Sequence, residues 1–525
     1  MLATLPSATL HGLDGRVIRV EVDVAPGLPG FAIVGLADAA LQEARERVRG
    51  ALRNSGFTYP PRRITVNLAP ADLRKAGASL DLAIAVGILL GSEQLRPSPG
   101  RSAVIGELSL GGEVRAVPGI LPMVAALARH GFRRVLVPAD GVDEARLVDG
   151  IEVGPVATLV EAADRLRRRR SSATRMPPPR VELTGEPADG AAAAPEVTDA
   201  DAVLPGVPDL SEVRGQLEAR RALEVALAGG HGVALVGPPG SGKTLLARTI
   251  PHLLPPLDDR AALAATIVAS AAGHGPVRAL VRRPPFRAPH HTISYAAMVG
   301  GGPRMSPGEV TMADHGVLFL DELPEFSRDV LEALRQPLEE GRVSIARVGR
   351  ATTFPARFQL VAAMNPCRCG FYGGGDPPCQ CAPGLPERYL DRISGPLRDR
   401  IDLWVVMARV PAAALVTSTD PEASIVVGAR IAEARRRQSA RPAGLNGRVS
   451  GRLLRASCRL SAPAARRAVE LAELESMTGR GTERLLRVAR TIADLAGAIA
   501  VAEPHLEEAA RFRSPASRLA AVLAG

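Results

Sequence analysis

The chain has 525 residues, 46% of them hydrophobic and 23% charged, and a formal net charge of +10; at ~150 residues per domain, about three domains are expected. This balance excludes a wholly disordered chain, a collagen-like repeat and a disulfide framework. No apolar run reaches the ~20 residues that span a bilayer, and the first fifteen residues lack a basic stretch followed by an apolar one, so no membrane association and a cytoplasmic location are expected.

The positive charge is built almost wholly from arginine: 63 arginines stand against two lysines, Lys75 and Lys243. A lysine kept in such a background marks a place to look for chemistry that a planar guanidinium does not supply. Lys75 reads as a solvated helix end. Lys243 lies in a motif.

From the N-terminus to about residue 165, short β-rich runs (VIRVEVDV, FAIVGL, RITVNL, SAVIGEL, RRVLVP) alternate with helical patterns (LADAALQEARERVRGALRNSG, SLDLAIAVGILLG, GILPMVAALARHG). Strands interleaved with amphipathic helices predict an α/β domain over 1–165. Residues 166–210 turn rich in Pro, Ala, Gly and acids, with few residues able to build a core, and read as a flexible linker. The arginine run at its start is either a DNA contact or a solvated helix end. A second α/β unit is expected over 211–410, and Arg- and Ala-rich helices over 411–525.

The strand GVALVG leads into Gly237-Pro238-Pro239-Gly240-Ser241-Gly242-Lys243-Thr244 and then a helical run. This is a P-loop in its strand-loop-helix setting: backbone N–H groups cradle phosphates, Lys243 reaches the β and γ phosphates, and the Thr244 hydroxyl holds Mg²⁺. Downstream, the apolar run VLFL ends in Asp321 and Glu322, suited to Mg²⁺ placement and to activating the attacking water; the other reading of the two acids is a helix N-cap. A further apolar run ends at Asn365, where an amide would orient γ-phosphate or water. Arg398, Arg400 and Arg480 are candidates to neutralise transition-state charge, although any single arginine among so many also suits a solvated face.

In this order the motifs resemble an AAA+ ATPase. The words RPPFRAPHHTISYAAMVGGGPRMSPGE, GVLFLDELPEF, LRQPLEEGRVSIARV, AAMNPCRCG, ISGPLRDRID and RVARTIADLAG resemble the ComM/YifB family of magnesium-chelatase-like AAA+ proteins. The resemblance extends to the N-terminal region, where it implies a Lon-protease-like domain with the fold of ribosomal protein S5 domain 2. It implies a P-loop α/β core followed by a helical lid, with ATP and Mg²⁺ as cofactors. It implies Lys243 and Thr244 in Walker A, Asp321 and Glu322 in Walker B, Asn365 as sensor 1, Arg400 as a finger acting on a neighbouring subunit and Arg480 as sensor 2. A homohexamer that drives DNA branch migration follows from the same resemblance. Tyr295, where an acid is expected, and the glycines around Arg480 depart from the family pattern. Magnesium-chelatase chemistry and protein remodelling are the alternatives. Lon-type proteolysis needs a serine and a lysine; Ser79 is present, but Arg115 and Leu121 stand where the lysine is sought, so a non-proteolytic assembly or DNA-binding role is expected.

Cys367, Cys369, Cys379 and Cys381 form two C-x-C pairs that either complete a tetrahedral Zn²⁺ site or remain thiols prone to oxidation. His290 and His291 are either one packed and one exposed ring or part of a loop facing DNA. The segment GRVSIARVGRATTF reads as a hairpin whose Arg342, Arg347 and Arg350 either grip phosphates or decorate an exposed edge.

Overall fold

The computed structural model describes residues 1–35, 39–71, 75, 77–96, 102–167, 204–275, 277–302, 305–347, 350–373, 377–411, 421–442 and 444–512. Most of the expected linker, including three of the four arginines that open it, lies outside the described residues.

The N-terminal strands are β1 (Leu2–His11), β2 (Asp14–Ala25), β3 (Gly30–Val34), β4 (Arg63–Ala69), β5 (Ser102–Val104), β6 (Glu107–Leu108), β7 (Val114–Arg115), β8 (Arg134–Pro138) and β9 (Glu152–Val156). A four-stranded sheet runs β1-β2-β4-β3, and a parallel three-stranded sheet runs β5-β8-β9. β1 and β2 pair antiparallel from Leu2↔Asp23 to His11↔Asp14, turning at Gly12 with φ 62°, a conformation that glycine adopts without a Cβ clash. Inward residues alternate along β2, with Ile18, Val20, Val22 and Val24 all buried, as a sheet with one covered face requires. The helix Asp81–Gly91 is apolar on all sides and almost wholly buried, which is why it shows no hydrophilic face.

Lys75 corrects an expectation. It is fully buried, not a solvated helix end, and its ammonium donates to the Pro70 carbonyl. A buried ammonium is tolerated because it is hydrogen-bonded.

The second unit carries β10 (Val233–Val236), β11 (Phe286–Arg287), β12 (Gly300–Gly301), β13 (Ser306–Pro307), β14 (Val317–Leu320), β15 (Arg342–Arg347), β16 (Arg350–Pro355), β17 (Gln359–Met364) and β18 (Leu403–Val406). Its parallel sheet has the order β11-β14-β17-β10-β18. Every residue of β10, β14 and β17 is buried, and apart from Gln359 at the start of β17 all are apolar, the mark of a parallel sheet covered on both faces. Val233, Leu235, Phe319, Val361 and Ala363 face one core; Ala234, Val236, Leu318, Leu320, Ala362 and Met364 face the other. The first core is completed by helices Leu217–Gly229, Ser424–Ser439 and Gly479–Leu495.

Two seams join these parts. Ser270 donates its hydroxyl to Glu144 and accepts at its carbonyl from the Gly119 N–H at 2.9 Å, while Leu263 and Ile267 pack against the N-terminal core. On the other side, Asp402 is gripped by His231 Nδ1 at 3.1 Å and by Arg487 at 3.2 Å, and Arg484 donates to the carbonyls of Asp399 and Ile401. These bonds fasten the segment before β18 to the helix Gly479–Leu495. The pairing holds the Asp402 carboxyl below its ordinary range despite burial. No described helix is long and apolar enough to cross a membrane.

Candidate functional site

The parallel sheet sets the carboxyl ends of β10, β14 and β17 side by side, the place where open α/β sheets bind ligands. The loop Gly237–Gly242 leaves β10 and enters the helix Lys243–Arg248. Gly240 and Gly242 take φ of 77° and 89°, left-handed values that side chains rarely adopt. At Gly237 a Cβ would stand 2.3 Å from the Met407 carbonyl, so only glycine lets the loop run this close to the chain after β18. Ser241 is buried, and its N–H donates to the Pro238 carbonyl at 3.3 Å.

Lys243 turns back across its own loop. Its ammonium donates to Gly237 O at 2.7 Å, Pro238 O at 2.9 Å and Asn365 Oδ1 at 3.2 Å. Burial pulls it down to about 8, against the opposing pull of Asp321 and Glu322. Its acceptors are neutral oxygens, and phosphate oxygens in their place would favour the charged form. Thr244 donates its hydroxyl to Asp321 Oδ2 at 2.7 Å. A hydroxyl and a carboxylate converging from two elements are oxygen ligands of the kind Mg²⁺ takes, so the donor set fits a nucleotide with its metal.

Glu322 follows Asp321 with φ 54°, a left-handed conformation uncommon outside glycine and costing on the order of 1–3 kcal/mol. The two carboxylates thereby part company: Asp321 meets Thr244, and Glu322 Oε2 lies 3.3 Å from His291 Nδ1. His291 lies against His290 with ring centroids 4.1 Å apart and the planes tilted by 34°, and meets the Phe326 ring edge-on. The contact between His291 and Glu322 has no local signature in the sequence, because it joins the loop after β11 to the end of β14.

Lys243, Thr244, Asp321, Glu322 and Asn365 are thus brought together. Arg400 lies apart from this cluster, 13% exposed, held by Glu339 and the Pro396 carbonyl. Burial depresses its guanidinium, and Arg335 and Arg480 depress it further. Arg398 pairs with Asp391 at 3.2 Å. Arg480 is exposed on the first turn of its helix, and the arginines that fasten that helix to the sheet are Arg484 and Arg487, which sequence reading passed over. The hairpin forms as expected: β15 and β16 pair from Arg342↔Pro355 to Arg347↔Arg350. Arg342 pairs with Glu340 at 3.1 Å, whereas the side chains of Arg347 and Arg350 lie outside the described residues.

Just beyond Asn365 the four cysteines converge. Cys367 Sγ lies 3.3 Å from Cys369 Sγ and 3.8 Å from Cys379 Sγ, and one ligand atom from each of the four, Cys381 included, falls within 4.8 Å of the others. Tetrahedral zinc with Zn–S of ~2.3 Å has S···S edges of about 3.8 Å, so the cluster fits that ion. None of the four is in a disulfide. Gly370, inside this loop, abuts the P-loop: a Cβ there would stand 2.6 Å from Pro239 Cδ.

Ser79, the one serine considered for Lon-type chemistry, is buried and donates to the Ala8 carbonyl at 3.2 Å. Arg115 is exposed beside Glu113 at 3.7 Å, and Leu121 is buried.

A family profile described as "Magnesium chelatase, subunit ChlI" matches residues 209–415, one described as "Subunit ChlI of Mg-chelatase" matches 20–141, and one described as "Magnesium chelatase, subunit ChlI C-terminal" matches 421–513. Among curated relatives, an uncharacterized protein of Mycobacterium tuberculosis is 44% identical over 521 residues, covering 98% of each chain. The uncharacterized protein YifB of Escherichia coli is 40% identical over 96% of this chain and 95% of its own. The competence protein ComM of Haemophilus influenzae is 38% identical over 98% of this chain and 97% of its own. With this likeness along nearly the whole length, the chain belongs to the ComM/YifB family of magnesium-chelatase-like proteins.

Proposed function

We propose that the chain is an ATP-hydrolysing AAA+ motor acting on DNA, working as a homohexameric branch-migration helicase in recombination or natural transformation. The observation that carries the ATPase reading is the convergence of Lys243, Thr244, Asp321 and Asn365 within hydrogen-bonding reach, with Glu322 turned onto a separate partner. Bound ATP with Mg²⁺ supplies the phosphoryl group and the charge that draws it into line. The chain's part is to cradle the phosphates on the Gly237–Gly242 backbone, pair them with Lys243, place the metal ligands Thr244 and Asp321, and let Glu322 take the proton of the attacking water. His291 holds Glu322 until that step.

Arg400 is assigned as the finger reaching a neighbouring subunit's nucleotide and Arg480 as sensor 2. For that role Arg400 leaves Glu339 on assembly. The four cysteines are assigned to one structural Zn²⁺ that stiffens the chain between Asn365 and the P-loop. The division into a Lon-like N-domain over 1–165, a linker over 166–210, an AAA+ core over 211–410 and a helical lid over 411–525 belongs to the same reading. The N-domain is non-proteolytic, in keeping with Ser79 engaged by backbone and no lysine following it before Lys243.

The DNA half rests on the net charge of +10, on the hairpin bearing Arg342, Arg347 and Arg350, on His290 and His291 at the site's rim, and on ComM being a competence protein. The test is ATP-dependent branch migration of a synthetic four-way junction. Product is expected with the native chain and none with Glu322→Gln; a native chain that hydrolyses ATP yet moves no junction would instead be a chelatase or protein-remodelling motor.

A further inference from the structure

At the opposite end of the parallel sheet from the P-loop lies a cavity of about 560 Å³, within the ~300–1,000 Å³ of ordinary small-ligand pockets. Its floor is the start of the strands: Gly230 precedes β10, Gly316 precedes β14, and Gln359 opens β17. Its walls carry Arg357 from the core and Arg435, Arg436 and Arg448 from the C-terminal helical region, with His315 beside them.

The charges there do not balance. Arg436 pairs with Glu433. Asp258, the acid among the lining residues, caps the helix Asp259–Ala272 through the Ala261 N–H. Asp314, buried behind the wall, accepts from the Arg357 backbone N–H at 2.7 Å and lies 3.6 Å from His315 Nε2. Arg435 spends its guanidinium on a neutral acceptor, the Leu227 carbonyl, at 2.9 and 2.7 Å. Arg448 likewise donates to a carbonyl, that of Arg357, at 3.0 Å. Burial and the nearby Arg448 pull Arg435 down to about 10, and burial and Arg357 depress Arg448 in turn. Arg435 and Arg448 thus turn to neutral carbonyl oxygens in a cavity that Arg357 also lines, with Arg357 and Arg448 exposed to an incoming ligand, an arrangement that an anion would relieve.

We propose that this cavity is a second anion site, distinct from the P-loop, which takes a small polyphosphate between Arg357 of the core and Arg435 and Arg448 of the C-terminal helices. Planar guanidiniums suit phosphate oxygens, and a concave site of this volume admits a small ligand rather than a duplex. Because its walls come from both sides of the seam, an occupant ties the C-terminal helices to the sheet. The inference is independent of the DNA reading.

The experiment titrates inorganic pyrophosphate, by calorimetry, into the full-length chain carrying Lys243→Ala, which removes the P-loop ammonium. One site per chain is expected, with affinity falling at least tenfold when Arg357→Ala and Arg448→Gln are added. Melting curves without pyrophosphate check that the triple variant is folded, and pyrophosphate should raise the melting temperature of the Lys243→Ala chain but not of the triple variant. Absence of binding to the Lys243→Ala chain overturns the proposal. So does undiminished binding to a folded triple variant. Displacement of pyrophosphate by short duplex DNA would also overturn it, since the cavity would then be a contact to the DNA backbone.

Discussion

Gly370→Ala tests whether the cysteine loop and the P-loop act as one piece. The substitution places a methyl group 2.6 Å from Pro239 Cδ, where ordinary carbon contact begins near ~3.5 Å, so about 0.9 Å of movement must be absorbed. The neighbour is a proline ring inside the P-loop, which has little freedom to swing aside. Gly370 also has φ 88°, and a Cβ in left-handed backbone costs roughly 1–2 kcal/mol. Misplacement near 1 Å in a catalytic constellation can cost ~10²-fold; we expect kcat/KM for ATP to fall ten- to a hundredfold. Gly384→Ala is the control: Gly384 has φ 80° with nothing within 4 Å of its would-be Cβ, so it carries similar backbone strain without the clash. Steady-state ATP hydrolysis and thermal melting on both variants separate the effects. Comparable losses of stability with a loss of ATP use confined to Gly370→Ala are expected. Native ATP kinetics in Gly370→Ala, or an equal kinetic loss in Gly384→Ala, would refute the coupling.

Further expectations concern other parts of the chain. Lys243→Ala should abolish ATP binding as read by equilibrium titration, whereas Glu322→Gln should bind ATP and turn it over at least a hundredfold more slowly; full turnover in both would dismantle the assigned site. Elemental analysis should find one zinc per chain, falling to well under half in Cys379→Ser, and metal-free native protein would remove the zinc assignment. Burial raises the Glu144 carboxyl above its ordinary 4.5, so the folded chain holds a proton there that the unfolded chain has released. Stability from this group is therefore lost as pH rises from 4.5 through the raised folded value. Glu144→Gln keeps acceptors for Ser270 and the Leu121 N–H without a buried charge. It should flatten that part of the melting-temperature profile and add about 1 kcal/mol at pH 7; an unchanged slope would count against this placement of the titrating group.

What could be read from the sequence was what is written locally. The P-loop, the apolar runs of β14 and β17, and the hairpin over β15 and β16 each carry their signal within a few consecutive residues. β1 escaped notice because Pro6 and Ser7 weaken its strand character, and its place is settled by pairing with β2. β9 escaped for a similar reason, with Gly154 and Pro155 inside it. Lys75 looked solvated because nothing near it in sequence shows the Pro70 carbonyl that receives it. At the site, residue types pointed to Lys243, Thr244, Asp321, Glu322 and Asn365, but not to the approach of His291 to Glu322 or of Gly370 to Pro239. Both are contacts between separate loops, fixed only when the strands assemble. Arg484 and Arg487 were indistinguishable from their neighbours in an arginine-rich helix until Asp399, Ile401 and Asp402 came to face them.

The proposed coupling of ATP hydrolysis to DNA is read from the ATPase rate with and without single-stranded and forked DNA across a salt series, with Glu322→Gln as the blank. Contacts to phosphate weaken steeply as salt rises. DNA is expected to raise the rate severalfold at low salt, with the rate returning to the DNA-free value as salt increases. A rate indifferent to DNA at every salt concentration, with the blank inactive, would contradict the coupling.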